Sequence, residues 1–418
     1  MTSIACKAGE SEARRTLVAG LATLLVVAFL SGCDSTSGPG TPPGSDPNPP
    51  PGSVQLLRAP YLQLLGERSV IVAFRTTEAA SAVVEYGPTP GFGQSVTSAV
   101  GTHHAVEIDG LAPGQRYYYK VRAGTTTLAG DATHFFETDA GRADSEFSFF
   151  VTGDIGQPGG EQATTGSRIL ATQPRAEIGL ICGDVIYPDG ESSGYDENLM
   201  QPWAGLLRNV AVWPALGNHD WHVDPDLNFR AEWYLPGNEH YYSFDRGNTH
   251  FIALDTRDGD IYDAANQVAW LRADLEAHRD ATWTIAYYHH PGYTCTYKDY
   301  NDAVIATLHP VLDEFAVDVV FMGHAHTYER LYPIRNGQVV AREQEPNYQD
   351  PAGTVYVVTG AGAKTNSSTT PDCDINALAI DRTILFTHVT VRGRTLELRT
   401  IESATGTVRD RMTITKTQ

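Results

Sequence analysis

Hydrophobic residues in the second part of the chain gather into short unbroken runs. Phe147–Thr152, Ile178–Cys182, Val210–Leu216, Trp283–Tyr288 and Val317–Met322 are rich in Val, Ile and Phe. Runs of this length without polar alternation predict strands covered on both faces. Helical spacing appears between them. In Asn266–His278, Val268, Leu271 and Leu275 form an apolar stripe, with Arg272 and Glu276 on the solvated side. Asp302–Phe315 predicts a further helix, interrupted or bent near Pro310. Val355–Thr359, Thr383–Val391 and Thr395–Ile401 read as strands, the last two joined across Arg392-Gly393-Arg394. Strands alternating with helices predict an α/β (α+β) layered domain over residues 145–418.

The preceding stretch, residues 54–139, has an all-β texture. Ser69–Arg75, Ala82–Tyr86, His104–Ile108, Arg116–Ala123 and Thr133–Thr138 are short β-rich runs separated by Gly, Pro and Asp. Asp109-Gly110-Leu111-Ala112-Pro113-Gly114 followed by Tyr117-Tyr118-Tyr119 resembles a fibronectin type III sandwich, in which a late Tyr packs at a corner. The Tyr triplet is expected to divide between core and surface, since neighbours on a strand face opposite ways. The same rule argues against His103-His104 as a metal pair. A polar hinge, Asp139–Ala143, follows.

The N-terminal residues 1–32 read as a targeting segment: Arg14-Arg15 supply positive charge and Leu17–Leu30 an apolar stretch. That stretch is shorter than the about 20 residues a membrane span needs. Leu30-Ser31-Gly32-Cys33 resembles the lipobox of bacterial lipoproteins. The resemblance implies a lipid anchor at Cys33 and an extracytoplasmic place, in the periplasm or at the cell surface. Residues 33–53, dominated by Pro, Gly, Ser and Asp, are expected to be an extended tether. A formal net charge of −20 argues against nucleic-acid binding, which needs basic patches. Cys182 falls inside an apolar run and is expected to be a buried thiol. Cys295 and Cys373 stand in polar stretches of an exported chain, where a disulfide between them is one of two open readings.

Chemistry enters where the apolar runs stop. They end, in order, in Asp154; in Asp184 and Tyr187; in Asn218 and His219; in His289 and His290; and in His324 and His326. In sheets of this kind ligands bind beyond the strand ends. Carboxylates, imidazoles and an amide suit divalent first-row metals, and a phenolate with carboxylates suits Fe(III). A pair of metals about 3.5–4 Å apart needs a shared anionic ligand. An Asp in the second loop, one oxygen to each ion, is the economical candidate. His324 and His326, on a curving loop, can then serve one ion each.

This ordered set resembles the calcineurin-like metallophosphoesterases and, among them, the purple acid phosphatases. Ordinary members begin Asp-x-His, whereas Asp154-Ile155-Gly156 lacks that His and a Tyr stands three residues after Asp184. His324-Ala325-His326-Thr327-Tyr328-Glu329-Arg330 extends the likeness, which covers roughly Val54 to Ile401. It implies an N-terminal β-sandwich followed by a four-layer αββα sandwich. It implies a binuclear centre in which Asp154, Tyr187 and His326 hold an Fe(III)-type ion and Asp184 bridges. Asn218, His289 and His324 would hold a divalent ion (Fe, Zn or Mn), His289 being preferred to His290 because it stands two residues before Pro291. The reaction implied is hydrolysis of phosphate monoesters by in-line attack of a metal-bound hydroxide, with a phosphodiesterase or nucleotidase at the same site as the alternative. His219 is the first choice for proton donor and His290 the second, with Asp220 expected to orient His219 through its other ring nitrogen. One departure stands out: Lys298-Asp299 occupy the place where plant-type members carry further substrate-contacting His residues.

Overall fold

The first strands of the chain already set the architecture, alternating buried and exposed residues as a sheet with one wet face does. The structure, a computed structural model, describes residues 54–142, 146–222, 227–257, 260–296, 301–370 and 373–417. The expected targeting segment, Cys33, the tether, and Lys298-Asp299 lie outside the described residues. Leu56–Gln63, Val70–Ala80 and Gly101–Ile108 make one antiparallel sheet. Gln94–Thr97, Ala82–Gly87, Arg116–Ala123 and Thr126–Ala129 make a second, with Phe135–Glu137 paired to Arg116–Ala123. Between them Leu62, Val72 and Phe74 meet Val84, Tyr119, Val121 and Phe136, the core of a β-sandwich.

Tyr117 and Tyr119 are buried, and the Tyr117 hydroxyl accepts from the Ala112 N–H at 2.9 Å. Adjacent His103 and His104 part company: His103 is exposed, while His104 stacks on Phe74 and bonds Thr76 and Ser98. They do not form a metal pair.

The sandwich docks on the second domain through buried charge. Glu232, fully enclosed, takes the guanidinium groups of Arg58 and Arg75 on one carboxylate oxygen, and Arg58 Nε also reaches Asp196 at 2.5 Å. Removing one member of a buried ionic group leaves the others uncompensated. Glu232→Ala is therefore expected to destabilise the protein by about 3–5 kcal/mol. Denaturant unfolding checks this; a loss below about 1 kcal/mol, the size of an exposed pair, contradicts it.

Residues 146–417 build two seven-stranded sheets. The first runs Ala211–Ala215, Ile178–Cys182, Glu146–Thr152, Leu385–Arg392, Thr395–Glu402, Val408–Thr415 and Asn347–Gln349, its first three strands parallel. The second runs Tyr242–Arg246, Thr249–Ala253, Trp283–Tyr288, Val319–Met322, Val355–Thr359, Tyr328–Leu331 and Asn376–Ile380, with four consecutive parallel strands from Thr249–Ala253 to Val355–Thr359. Side chains alternate, so Phe149 points inward against Phe251 and Phe321 of the other sheet, while Phe150 points outward onto Trp203. Helix Glu161–Ala171 covers that outer face. On the far side Leu271 and Leu275 of helix Ala264–Ala277 pack with Ile252, Ala286 and Val320. The result is an αββα sandwich.

The expected bend near Pro310 is a break. Asp302–Thr307 and His309–Glu314 are separate helices with Pro310 in the first turn of the second, where its missing N–H costs nothing. Cys182 is buried and free, and Cys295 is bonded to Cys373.

Candidate metal centre

All five loops that carry the expected ligands leave the carboxyl ends of parallel strands, on one rim of the two sheets. To turn from extended strand into the rim, three residues adopt left-handed backbone: Asp154 at φ 57°, Asp184 at φ 50° and His324 at φ 65°. Such conformations cost of order 1–3 kcal/mol each away from Gly, and they concentrate at functional sites. Two glycines let the loops approach. A Cβ on Gly217 would lie 2.3 Å from Asp184 Oδ1, and one on Gly156 would lie 1.9 Å from the Val185 carbonyl oxygen. Gly156 also accepts the Tyr187 N–H at 2.8 Å. The space at Gly156 is thus filled by the loop that delivers Tyr187.

The donor atoms gather around two points that share Asp184. At the first, the Tyr187 hydroxyl lies 2.9 Å from Asp154 Oδ1, 2.7 Å from Asp184 Oδ2 and 3.4 Å from His326 Nε2, and His326 Nε2 is 3.0 Å from Asp154 Oδ1. At the second, His289 Nε2 lies 3.2 Å from Asp184 Oδ1, 3.1 Å from Asn218 Oδ1 and 3.3 Å from His324 Nδ1, and His324 Nδ1 is 3.1 Å from Asn218 Oδ1. One carboxylate oxygen of Asp184 faces each group.

Supporting contacts aim these atoms. His289 Nδ1 donates to the Cys182 carbonyl at 2.8 Å, which turns Nε2 inward. The His324 N–H donates to Asp154 Oδ2 at 2.9 Å, and the His219 N–H to Asp184 Oδ1 at 3.0 Å. His326 Nδ1 is held by the Asn366 side-chain oxygen and its N–H by Ser367 Oγ at 3.1 Å.

The electrostatics call for positive charge. Burial, then the charges of Asp154 and Asp184, push the Tyr187 phenol far up, and its single proton faces two carboxylate oxygens. Burial would raise the Asp184 carboxyl, but His289 outweighs it and holds the group below the usual carboxylate range. Burial would likewise lower His289, yet Asp184 and, behind it, Asp154 carry it up to about 9. Lone pairs and negative charge converge on both points, so oxygen- and nitrogen-binding cations fit where protons otherwise offset the charge.

The candidate proton donors are placed differently. His219 packs its ring 4.4 Å from that of Tyr187, with Nε2 3.9 Å from Asp184 Oδ2, and its Nδ1 is taken by the Pro188 carbonyl. Asp220 does not orient His219. Its buried carboxylate accepts the backbone N–H groups of Val185, Ile186 and Gly217, tying the second loop to the third. Burial and the nearby charge of Asp184 push that carboxyl up to about 7. His290 is buried beside the second group, its ring 4.2 Å from that of His324 and its N–H on Thr256 Oγ1 at 2.9 Å.

Sequence reasoning missed the sixth loop, residues 360–369. It follows Val355–Thr359, a sixth apolar run ending in Gly360-Ala361-Gly362, and brings Lys364, Asn366 and Ser367 to the first group. The Gly-x-Gly after an apolar strand was the available signal. Elsewhere Asp245, His250 and His278 also cluster, but His250 is already bonded by Asp245 at 2.7 Å and Asp274 at 2.8 Å. These carboxylates outweigh burial and raise its pKa, the pattern of a buried ionic clamp.

Comparison with known proteins agrees with this geometry. Residues 147–328 match the family described as calcineurin-like phosphoesterase, and residues 58–138 match the purple acid phosphatase N-terminal domain. Purple acid phosphatase 18 of Arabidopsis thaliana is 30% identical over 334 residues, covering 72% of this chain and 70% of its own. Acid phosphatase type 7 of Danio rerio is 28% identical over 347 residues, covering 71% and 75%. In fold, a purple acid phosphatase from yellow lupin (Lupinus luteus) seeds superposes with a TM-score of 0.76 at 20% identity, covering 86% of this chain and 75% of that one. The structure of PhoD gives 0.66 at 14% identity, covering 85% and 90%.

Proposed function

This chain belongs to the purple acid phosphatase family and is a binuclear-metal hydrolase of phosphate esters; we propose that its chemistry is carried by the two donor groups sharing Asp184. Asp154, Tyr187 and His326 would hold Fe(III), and Asn218, His289 and His324 a divalent Fe, Zn or Mn ion, with Asp184 between them. The observation that carries this reading is the division of the Asp184 oxygens, 2.7 Å from Tyr187 Oη on one side and 3.2 Å from His289 Nε2 on the other. Bound there, the ion pair supplies Lewis acidity and water activation.

The protein's own groups do the rest. The collected carboxylates and imidazoles fix the site's geometry before substrate arrives, which spares reorganisation during reaction. His219 gives its proton to the departing oxygen. With Nδ1–H donated to the Pro188 carbonyl, the proton passed is the one on Nε2, the nitrogen turned toward Asp184. His290, buried against His324, holds the divalent side in place. An aryl phosphate monoester is expected to be hydrolysed faster than the corresponding diester, and chelation to abolish both rates until metal is restored. A diester rate exceeding the monoester rate would sink the monoesterase reading while leaving the site intact.

The targeting segment and Leu30-Ser31-Gly32-Cys33 support an extracytoplasmic protein tethered by lipid at Cys33, and the Cys295–Cys373 bond is in keeping with that compartment. Cell fractionation is expected to find the chain with membranes and the Cys33→Ser variant released from them. Equal release of both would exclude the anchor.

A further inference from the structure

The loop that sequence reasoning missed places a cation on the ring of Tyr187, a member of the first donor group. Lys364 Nζ lies 3.5 Å from the centroid of the Tyr187 ring. That ammonium is not captured by an acid: among the described residues Lys364 forms no ion pair, although Glu161 lines the same cleft together with Gln157 and Asn366. Its position is set by contacts of the residues on both sides. Gly362 and Ala363 donate their N–H groups to the carbonyls of Gly153 and Asp154, at 3.1 and 3.2 Å. The Ala363 carbonyl accepts from Gln157 Nε2 at 2.5 Å, and two residues beyond Lys364 the Asn366 side chain holds His326. A Cβ on Gly360 would meet Asp154 Oδ2 at 2.8 Å, so the loop is pressed against the first donor group.

We propose that Lys364 is a positioning residue for Tyr187: its ammonium, seated on the ring face, tunes the ring as an electron donor to the iron the first donor group would hold. The inference rests on the reading of Tyr187 as a phenolate ligand to Fe(III). An ammonium over an aromatic face is attracted by the negative π-cloud, the more strongly when solvent is excluded. Tyr187 is 4% exposed, so the ring's side of the pair is shielded from water. A cation beside the donor ring lowers the energy of its electrons and so raises the energy needed to move one from phenolate to Fe(III).

The test is the visible absorption of the iron-loaded protein, with metal content measured on each sample. Replacing Lys364 by the uncharged chain of similar length, K364M, is expected to move the phenolate band to longer wavelength. K364R, which restores a cation at the ring face, is expected to bring it back toward the wild-type position. Thermal unfolding of both variants establishes that the half-exposed site tolerates them. A band of unchanged wavelength in K364M at equal iron content would overturn the proposal and leave Tyr187 as a ligand. Iron-loaded wild type with no visible band at all would overturn the phenolate reading, and the role of Lys364 with it.

Discussion

Asp184→Asn is expected to abolish hydrolysis and to release both metal ions together, while the fold survives. The amide keeps the shape of the carboxylate but offers one ligand oxygen and one N–H₂ group that cannot ligate. Whichever way it turns, one of the two donor groups loses its shared ligand. Asp184 also supplies negative charge to both points at once. The chemistry of a metal pair contributes several kcal/mol to stabilising the charged transition state. At 1.36 kcal/mol per tenfold change, the activity should fall by about 10³-fold or more. Removing a buried charge from a crowded anionic site should not unfold the protein, so the melting temperature of the metal-free forms serves as the control. An Asp184→Asn variant that keeps one ion and a tenth of the activity would mean that the two groups function separately.

His219→Ala should act on the rate rather than on metal content. General acid help from a positioned His is worth about 10²- to 10⁴-fold, and kcat should drop within that range. The deficit must depend on the leaving group. A departing nitrophenolate is stable without a proton and needs little help, whereas an alkoxide needs much. The variant is therefore expected to lose far more activity on an alkyl phosphate than on a nitrophenyl phosphate. Equal losses on both would mean that His219 only shapes the pocket through its contact with Tyr187, and the leaving-group test would pass to His290.

What the sequence disclosed and what it concealed divide along physical lines. Buried parallel strands must be apolar on both faces, so Phe147–Thr152, Ile178–Cys182 and Trp283–Tyr288 stand out by composition alone. Their ends announce the donor atoms because ligand types follow each run within a few residues. The strand Tyr242–Arg246 was hidden, since Ser243 and Asp245 interrupt it. Helix Glu161–Ala171 was hidden as well: its Thr and Gly residues give no clear apolar stripe. The partner of His219 could not be read because it is a backbone carbonyl, at Pro188, and carbonyls leave no mark on the sequence. Asp220 looked like an orienting carboxylate by adjacency, yet the tight turn at Gly217 directs it to the N–H groups of Gly217, Val185 and Ile186. Lys364 and Asn366 were concealed by distance, standing five and seven residues past Thr359 on a loop whose glycines draw it back to Asp154.

Elemental analysis of the purified, active protein tests the shared role of Asp184 most directly. Two transition-metal ions per chain, lost together on chelation and regained together with activity, is the result this account requires. Full activity in protein carrying one ion or none would contradict it.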